Sequence, residues 1–163
     1  MKTLCRLALA IALSAATTLQ AELPTKKVLT LGLAKKLVAA AETEAKKRGA
    51  TAVIAVVDDG GQLILLERLD DTQVASVEVA IGKARTAAIF RRPSKVFEDQ
   101  VKNGRVAALA LPGATPLQGG IPITVEGKVI GAIGASGNSP QEDEEIAQAG
   151  AAVTATAAQE EGR

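Results

Sequence analysis

The sequence predicts an α+β domain: a mainly antiparallel sheet built from two hairpins, with helices packed on it. Three observations carry this prediction. An apolar, β-branched run from Val53 to Asp58 meets the turn signal Asp59-Gly60 and returns as Gln62–Arg68. A second run, Ile121–Val125, meets Glu126-Gly127 and returns as Lys128–Ala135. Segments with helical periodicity precede, separate and follow the two hairpins, an order that suits helices laid on an antiparallel sheet rather than a doubly wound parallel one.

The first helix is expected over Thr30–Arg48, with Leu33, Leu37, Ala40 and Ala41 on its apolar face. Thr30 is a good N-cap, and Gly49 ends the helix in the position that favours glycine. Strand Gln62–Arg68 carries Leu63, Ile64, Leu65 and Leu66 without a break, which predicts cover on both faces. The next helix should open at Asp70–Thr72 and bury Val74, Val77, Ile81, Ala84 and Ala88 before Arg91-Arg92-Pro93 stops it. Ser94 is positioned to cap a short helix ending near Asn103-Gly104, with Val96, Phe97 and Val101 inward. Residues 105–118 read as a loop with one short strand. In the second hairpin, Ile121, Ile123 and Val125 alternate onto a buried face. Gly131 and Gly134 weaken the returning strand, so they predict a bulge or the close approach of another element or a ligand. Ser139-Pro140-Gln141-Glu142 is a capping box with proline at the first helical position. The acidic run Glu142–Glu145 then fills the first turn of the last helix, whose buried face continues through Ile146, Ala149 and Val153.

Residues 1–21 read as a secretory signal, with Lys2 and Arg6 before a short apolar core, Leu7–Leu13, and a small-residue segment cleavable after Ala21 or Ala16. The domain organisation is therefore a leader (1–21), a linker (22–29) and a single domain (30–163), with a periplasmic or secreted destination. The apolar core is too short to span a bilayer and no second such run follows, so no membrane span is expected after leader removal. The remaining chain, about 140 residues, can bury a sizeable core. It contains no cysteine, so disulfides cannot stabilise it. Without Lys2 and Arg6, 17 basic residues face 18 acidic ones. Near-neutral charge and the scarcity of aromatic residues argue against nucleic acid as a partner.

Composition also excludes much chemistry. The chain has no histidine, tyrosine or tryptophan; its only cysteine is Cys5 and its only methionine is Met1, both in the leader. A mature protein would have no imidazole base, thiolate or phenol, and would lack the usual axial ligands of haem iron. No nucleophilic triad, phosphate loop, dinucleotide fingerprint or metal-ligand spacing is present, so neither a catalytic residue nor a metal ligand is nominated. The candidates are for ligand binding. Lys83 and Thr86 share a helix face and could present a cation and a hydroxyl to an acidic ligand, or could simply be a solvated face. Gly119 and Gly120 could admit a ligand to the backbone, or mark a bulge. Backbone N–H groups around Ser136 and Gly137 could hold a carboxylate, although the acidic run nearby opposes an anion; alternatively the glycines serve a tight turn. Asp58 and Asp59 are adjacent carboxylates, and Asp59 is explained by the turn.

An ordered set of motifs resembles a known family. Val56-Val57-Asp58-Asp59-Gly60-Gly61, Leu63 and Lys83-Ala84-Arg85-Thr86-Ala87 form its first half. Gly119-Gly120-Ile121-Pro122-Ile123, Glu126-Gly127, Val129–Gly134, Ser136-Gly137 and Gln141-Glu142-Asp143 form its second. Over about Thr30 to Ala157 the chain is similar to the GlcG/HbpS family, which includes the C-terminal domain of PduO-type proteins. The resemblance implies a profilin-like sandwich, a homo-oligomer, and haem or a related tetrapyrrole as cofactor or ligand. Members often carry histidine after the Gly-Gly of the first hairpin, where this chain has Gln62. Haem would then be held without a conventional axial ligand, unless Lys83 supplied one. The leading expectation is an exported protein that binds a small organic ligand. One alternative is an accessory oligomer for a periplasmic dehydrogenase or a glycolate- or diol-type pathway. Another is a small-acid tautomerase or proton-transfer enzyme that uses Lys83.

Overall fold

The computed structural model describes residues 23–154; the leader expected over 1–21 lies outside them. Helix α1 (Leu31–Arg48) leads into strands β1 (Val53–Asp58) and β2 (Leu63–Arg68), then helices α2 (Ser76–Phe90) and α3 (Lys95–Lys102). A 3-10 helix (Val106–Ala110), strands β3 (Gly120–Val125) and β4 (Lys128–Ser136) and helix α4 (Pro140–Ala151) complete the described part. The two hairpins join through an antiparallel β1–β4 pair, so the sheet runs β2-β1-β4-β3. Every neighbour is antiparallel, as the α+β reading expects.

Helices α1 and α4 cover one face of this sheet and α2 the other. The period of two sorts the side chains between them. Ile54 and Val56 of β1 with Ile133 and Ala135 of β4 join Leu37, Val38 and Ala41 of α1 and Ile146 of α4 in the main core. Val53, Ala55 and Val57 point the other way, with Ala132, toward Ala80, Ala84, Ala87 and Ala88 of α2. The α2 layer is built from small residues, so that helix rides close to the sheet. A Cβ on Gly134 would run into the Ala80 carbonyl oxygen and lie 2.7 Å from the Ala84 nitrogen. Glycine at 134 therefore serves the close approach that the sequence allowed for.

Caps behave as the residue types require at the two ends of the chain. The Thr30 side chain accepts from Leu33 N, and Gly49 closes α1 in a left-handed conformation. The Ser139–Glu142 capping box is complete, with Pro140 beside it.

Elsewhere the structure departs from expectation. The first hairpin loop is longer than a two-residue turn: four residues, 59–62, separate β1 from β2, Gly61 takes a positive φ of 80°, and Gly61 N donates to Asp58 O. Asp58, rather than Asp59, holds this turn, because its Oδ1 accepts from Gly60 N and Gln62 N. Strand β2 lies on the sheet edge, so its apolar run is only half covered and Leu63 stays 48% exposed. Helix α2 begins at Ser76, not at Asp70–Thr72, because Asp71 adopts φ of 62° and the intervening residues form turns; Val74 is left exposed. Ser94 makes no capping bond, and its hydroxyl is used elsewhere. Residues 106–110 form the 3-10 helix in place of the short strand expected there.

A buried ion pair and its glycine frame

Lys83 lies on the face of α2 that carries Ala80, Ala84 and Ala87, and that face is buried against the sheet. An ammonium placed there must find a counter-charge or lose its proton. Its Nζ stands 2.7 Å from Asp143 Oδ2, with both side chains 4% exposed, and also donates to the Ala135 carbonyl at 3.1 Å. Asp143 enters from the first turn of α4. Its Oδ1 accepts from Asn138 N at 3.1 Å. Burial pushes the Asp143 carboxyl above its ordinary pKa, while Lys83 and the backbone N–H groups of residues 137 and 138 pull it the other way.

The glycines expected to admit a ligand surround this pair. Gly119 has φ of 121°, and a Cβ there would sit 3.0 Å from Asp143 Cβ and 3.1 Å from Lys83 Nζ. Gly120 packs against the Lys83 carbonyl, so any side chain would force α2 away from β3. Ser94 Oγ accepts from Gly120 N and donates to Leu117 O, fastening the strand start to the loop before it. Ser136 Oγ faces Ser76 Oγ at 3.4 Å. Thr86 donates to Gly82 O and accepts from Thr115 N at 2.7 Å, which holds the 111–117 segment on α2.

Thus Lys83, Gly119, Gly120 and Gly137 converge on one point; Ser136 and Thr86 flank it with partners of their own. Asp143 is the residue that sequence reasoning did not single out, having counted it among charges that serve the helix dipole. The available signal was Lys83 itself, a cation among alanines at helical spacing. The acidic run is also less repulsive than its sequence suggests. Glu142 is in the capping box, Asp143 in the pair, Glu144 accepts from the Gln118 side chain, and Glu145 meets Arg48.

Chemically, the turn N–H groups expected to receive a ligand carboxylate receive the chain's own. The cation and carboxylate neutralise each other, so neither stands ready as a free acid or base. The usual axial coordination of haem iron does not fit the described residues either. They include no histidine, cysteine, tyrosine or methionine, and Lys83, the one lysine considered as a ligand, is committed to Asp143 and Ala135. Among the described residues, no group of three or more acidic, histidine or cysteine side chains could hold a metal ion, and no helix is long and apolar enough to cross a membrane.

Residues 29–152 match the family model described as "Haem degrading protein HbpS-like". The chain is 44% identical over 112 residues to protein GlcG of Escherichia coli K12, a match covering 69% of this chain and 84% of that protein. The fold is similar to the crystal structure of HbpS, with TM-score 0.75 and 34% identity over 81% of this chain and 94% of that one. It is also similar to the crystal structure of a PduOC–haem complex, with TM-score 0.70 and 27% identity over 77% of this chain and 94% of that one.

Proposed function

This chain belongs to the HbpS-like family, and on that premise we propose that it is an exported protein that binds a small organic ligand of the haem or tetrapyrrole class without a side-chain bond to the metal. The observation that carries this reading is the likeness to a relative solved with haem, set beside a chain whose described residues lack the usual axial ligands of its iron. Binding then rests on apolar contact with the ring and on lysine or arginine at the carboxylates. The leader pattern from Lys2 to Ala21 supports export. The proton-transfer alternative is the weaker one, because the Lys83 ammonium and the Asp143 carboxylate are already spent on each other.

Titration of the mature protein with haemin tests the reading. The expected result is a saturable change in the Soret band with Kd on the order of micromolar, about −8 kcal/mol. Metal-free protoporphyrin should bind within about tenfold of haemin, a difference of about 1.4 kcal/mol, because the iron contributes no protein bond. An unchanged Soret band would remove haem as the ligand. A much larger preference for haemin would show that a side chain does reach the iron.

A further inference from the structure

Both hairpin turns lie at the same end of the sheet, and the segment before α1 crosses that end as a strap. Lys26 Nζ lies 2.6 Å from Asp59 Oδ2 in the first turn, and Lys27 Nζ lies 2.6 Å from Glu126 Oε1 in the second. Leu29 anchors the strap by burying its side chain in the main core. Between the strap, the end of α2 and the β3–β4 hairpin is an open cleft of about 640 Å³. That volume falls within the range of small-molecule sites.

Three features distinguish this cleft. Its cations outnumber its carboxylates: Lys26 and Lys27 are paired, whereas Arg91 and Lys128 make no ion pair among the described residues. Val125 and Val129, both half-buried, with Ile130 behind them, supply an apolar wall. Two of the three non-glycine residues with positive φ among the described residues line it, Arg91 at 54° and Glu126 at 50°. Bulky residues hold that conformation at a cost, and such costs concentrate at functional sites. The β3–β4 register also shifts here, because Gly131 pairs with Ile123 and Val129 with Thr124, leaving Ile130 as an extra residue. A bulge of this kind re-aims side chains at a sheet edge.

We propose that this strapped cleft is the ligand site, taking a flat organic anion whose ring lies on Val125 and Val129 and whose carboxylate meets Arg91 and Lys128. The inference deepens the reading above and rests on it for the tetrapyrrole class. Arginine suits the bidentate grip of a carboxylate, and lysine adds a second point of charge. The strap's two ion pairs are solvent-exposed, so they close it only weakly and a ligand can lift it. The buried Lys83–Asp143 pair plays no part in contact with the ligand.

Amide NMR spectra of the mature protein, titrated with gallium protoporphyrin and separately with anilinonaphthalene sulfonate, locate the site. The expected result is movement of the resonances of residues 124–130 and Arg91. The double substitution Arg91→Ala/Lys128→Ala should weaken binding about tenfold or more with Tm unchanged, whereas Lys35→Ala, on the exposed side of α1, should stay within about twofold. Movement confined to other residues, or unaltered affinity in the double variant, overturns the cleft while leaving ligand binding intact. If the porphyrin fails to bind, the tetrapyrrole reading falls, and the sulfonate decides the cleft. Shifts at 124–130 then support an organic-anion site, and their absence overturns it.

Discussion

Lys83 and Asp143 show how a single side chain in the wrong solvent organises its surroundings. Each is costly to bury alone, and together they tie α2 to α4 through the Ala135 carbonyl of β4. Removing one partner leaves the other charged and dry, so Lys83→Met should destabilise by about 3–5 kcal/mol in chemical denaturation. The double variant Lys83→Met/Asp143→Leu should recover most of that loss, since a buried pair often exchanges for apolar side chains at little cost. Persistent instability of the double variant would show that the pair contributes more than charge balance. The direction of the Asp143 shift adds a pH dependence. Its folded-state pKa lies above the unfolded one, so its own contribution to stability is complete below the unfolded value and is lost as pH rises through the folded one. Tm measured across the acidic range should be flatter in that window for the double variant than for the wild type. Sequence alone could identify Lys83 as anomalous among alanines, but its partner stands 60 residues away, and no spacing rule reaches that far.

Among the elements, α2 and β4 meet in a close contact that glycine at 134 makes possible. Gly134→Ala should lower stability by about 1–3 kcal/mol, because the new methyl meets helix backbone rather than a yielding side chain. An unchanged denaturation midpoint would mean that α2 can shift outward without loss. Element types and order were legible from periodicity and turn chemistry, and the caps at Thr30 and Ser139 were legible to the residue. The failures have local causes. Asp70–Thr72 looked like a helix start because aspartate and threonine favour caps, yet the same aspartates tolerate the left-handed backbone that a turn uses at Asp71. Leu63–Leu66 looked doubly covered because the run is continuous, but strand order alone decides which strand is last in a sheet.

The whole molecule presents apolar side chains that a lone domain has no internal use for. Val74 is 74% exposed, Val106 65% and Leu109 61%. Burial of such side chains between copies would fit the homo-oligomer that the family resemblance implies. Size-exclusion chromatography with light scattering should therefore give a multiple of the mature chain mass. A monomer at all concentrations would refute the proposal. N-terminal sequencing of protein recovered from the periplasm or medium should begin after Ala21 or Ala16, and retention of the intact leader inside the cell would refute export.

Local rules, acting within one helix or one hairpin, specified the α+β class, the element order, the leader pattern and the lack of the usual axial ligands for haem iron. Those properties depend on residue type and on neighbours within a few positions, and both are visible along the chain. Packing decided the rest. It paired β1 with β4, placed β2 at the edge, gave Lys83 its carboxylate, filled the turn expected to receive a ligand, and opened a cationic cleft where the strap crosses two distant hairpins. Each of these joins segments far apart in the chain, and a contact of that kind exists only after the sheet has closed.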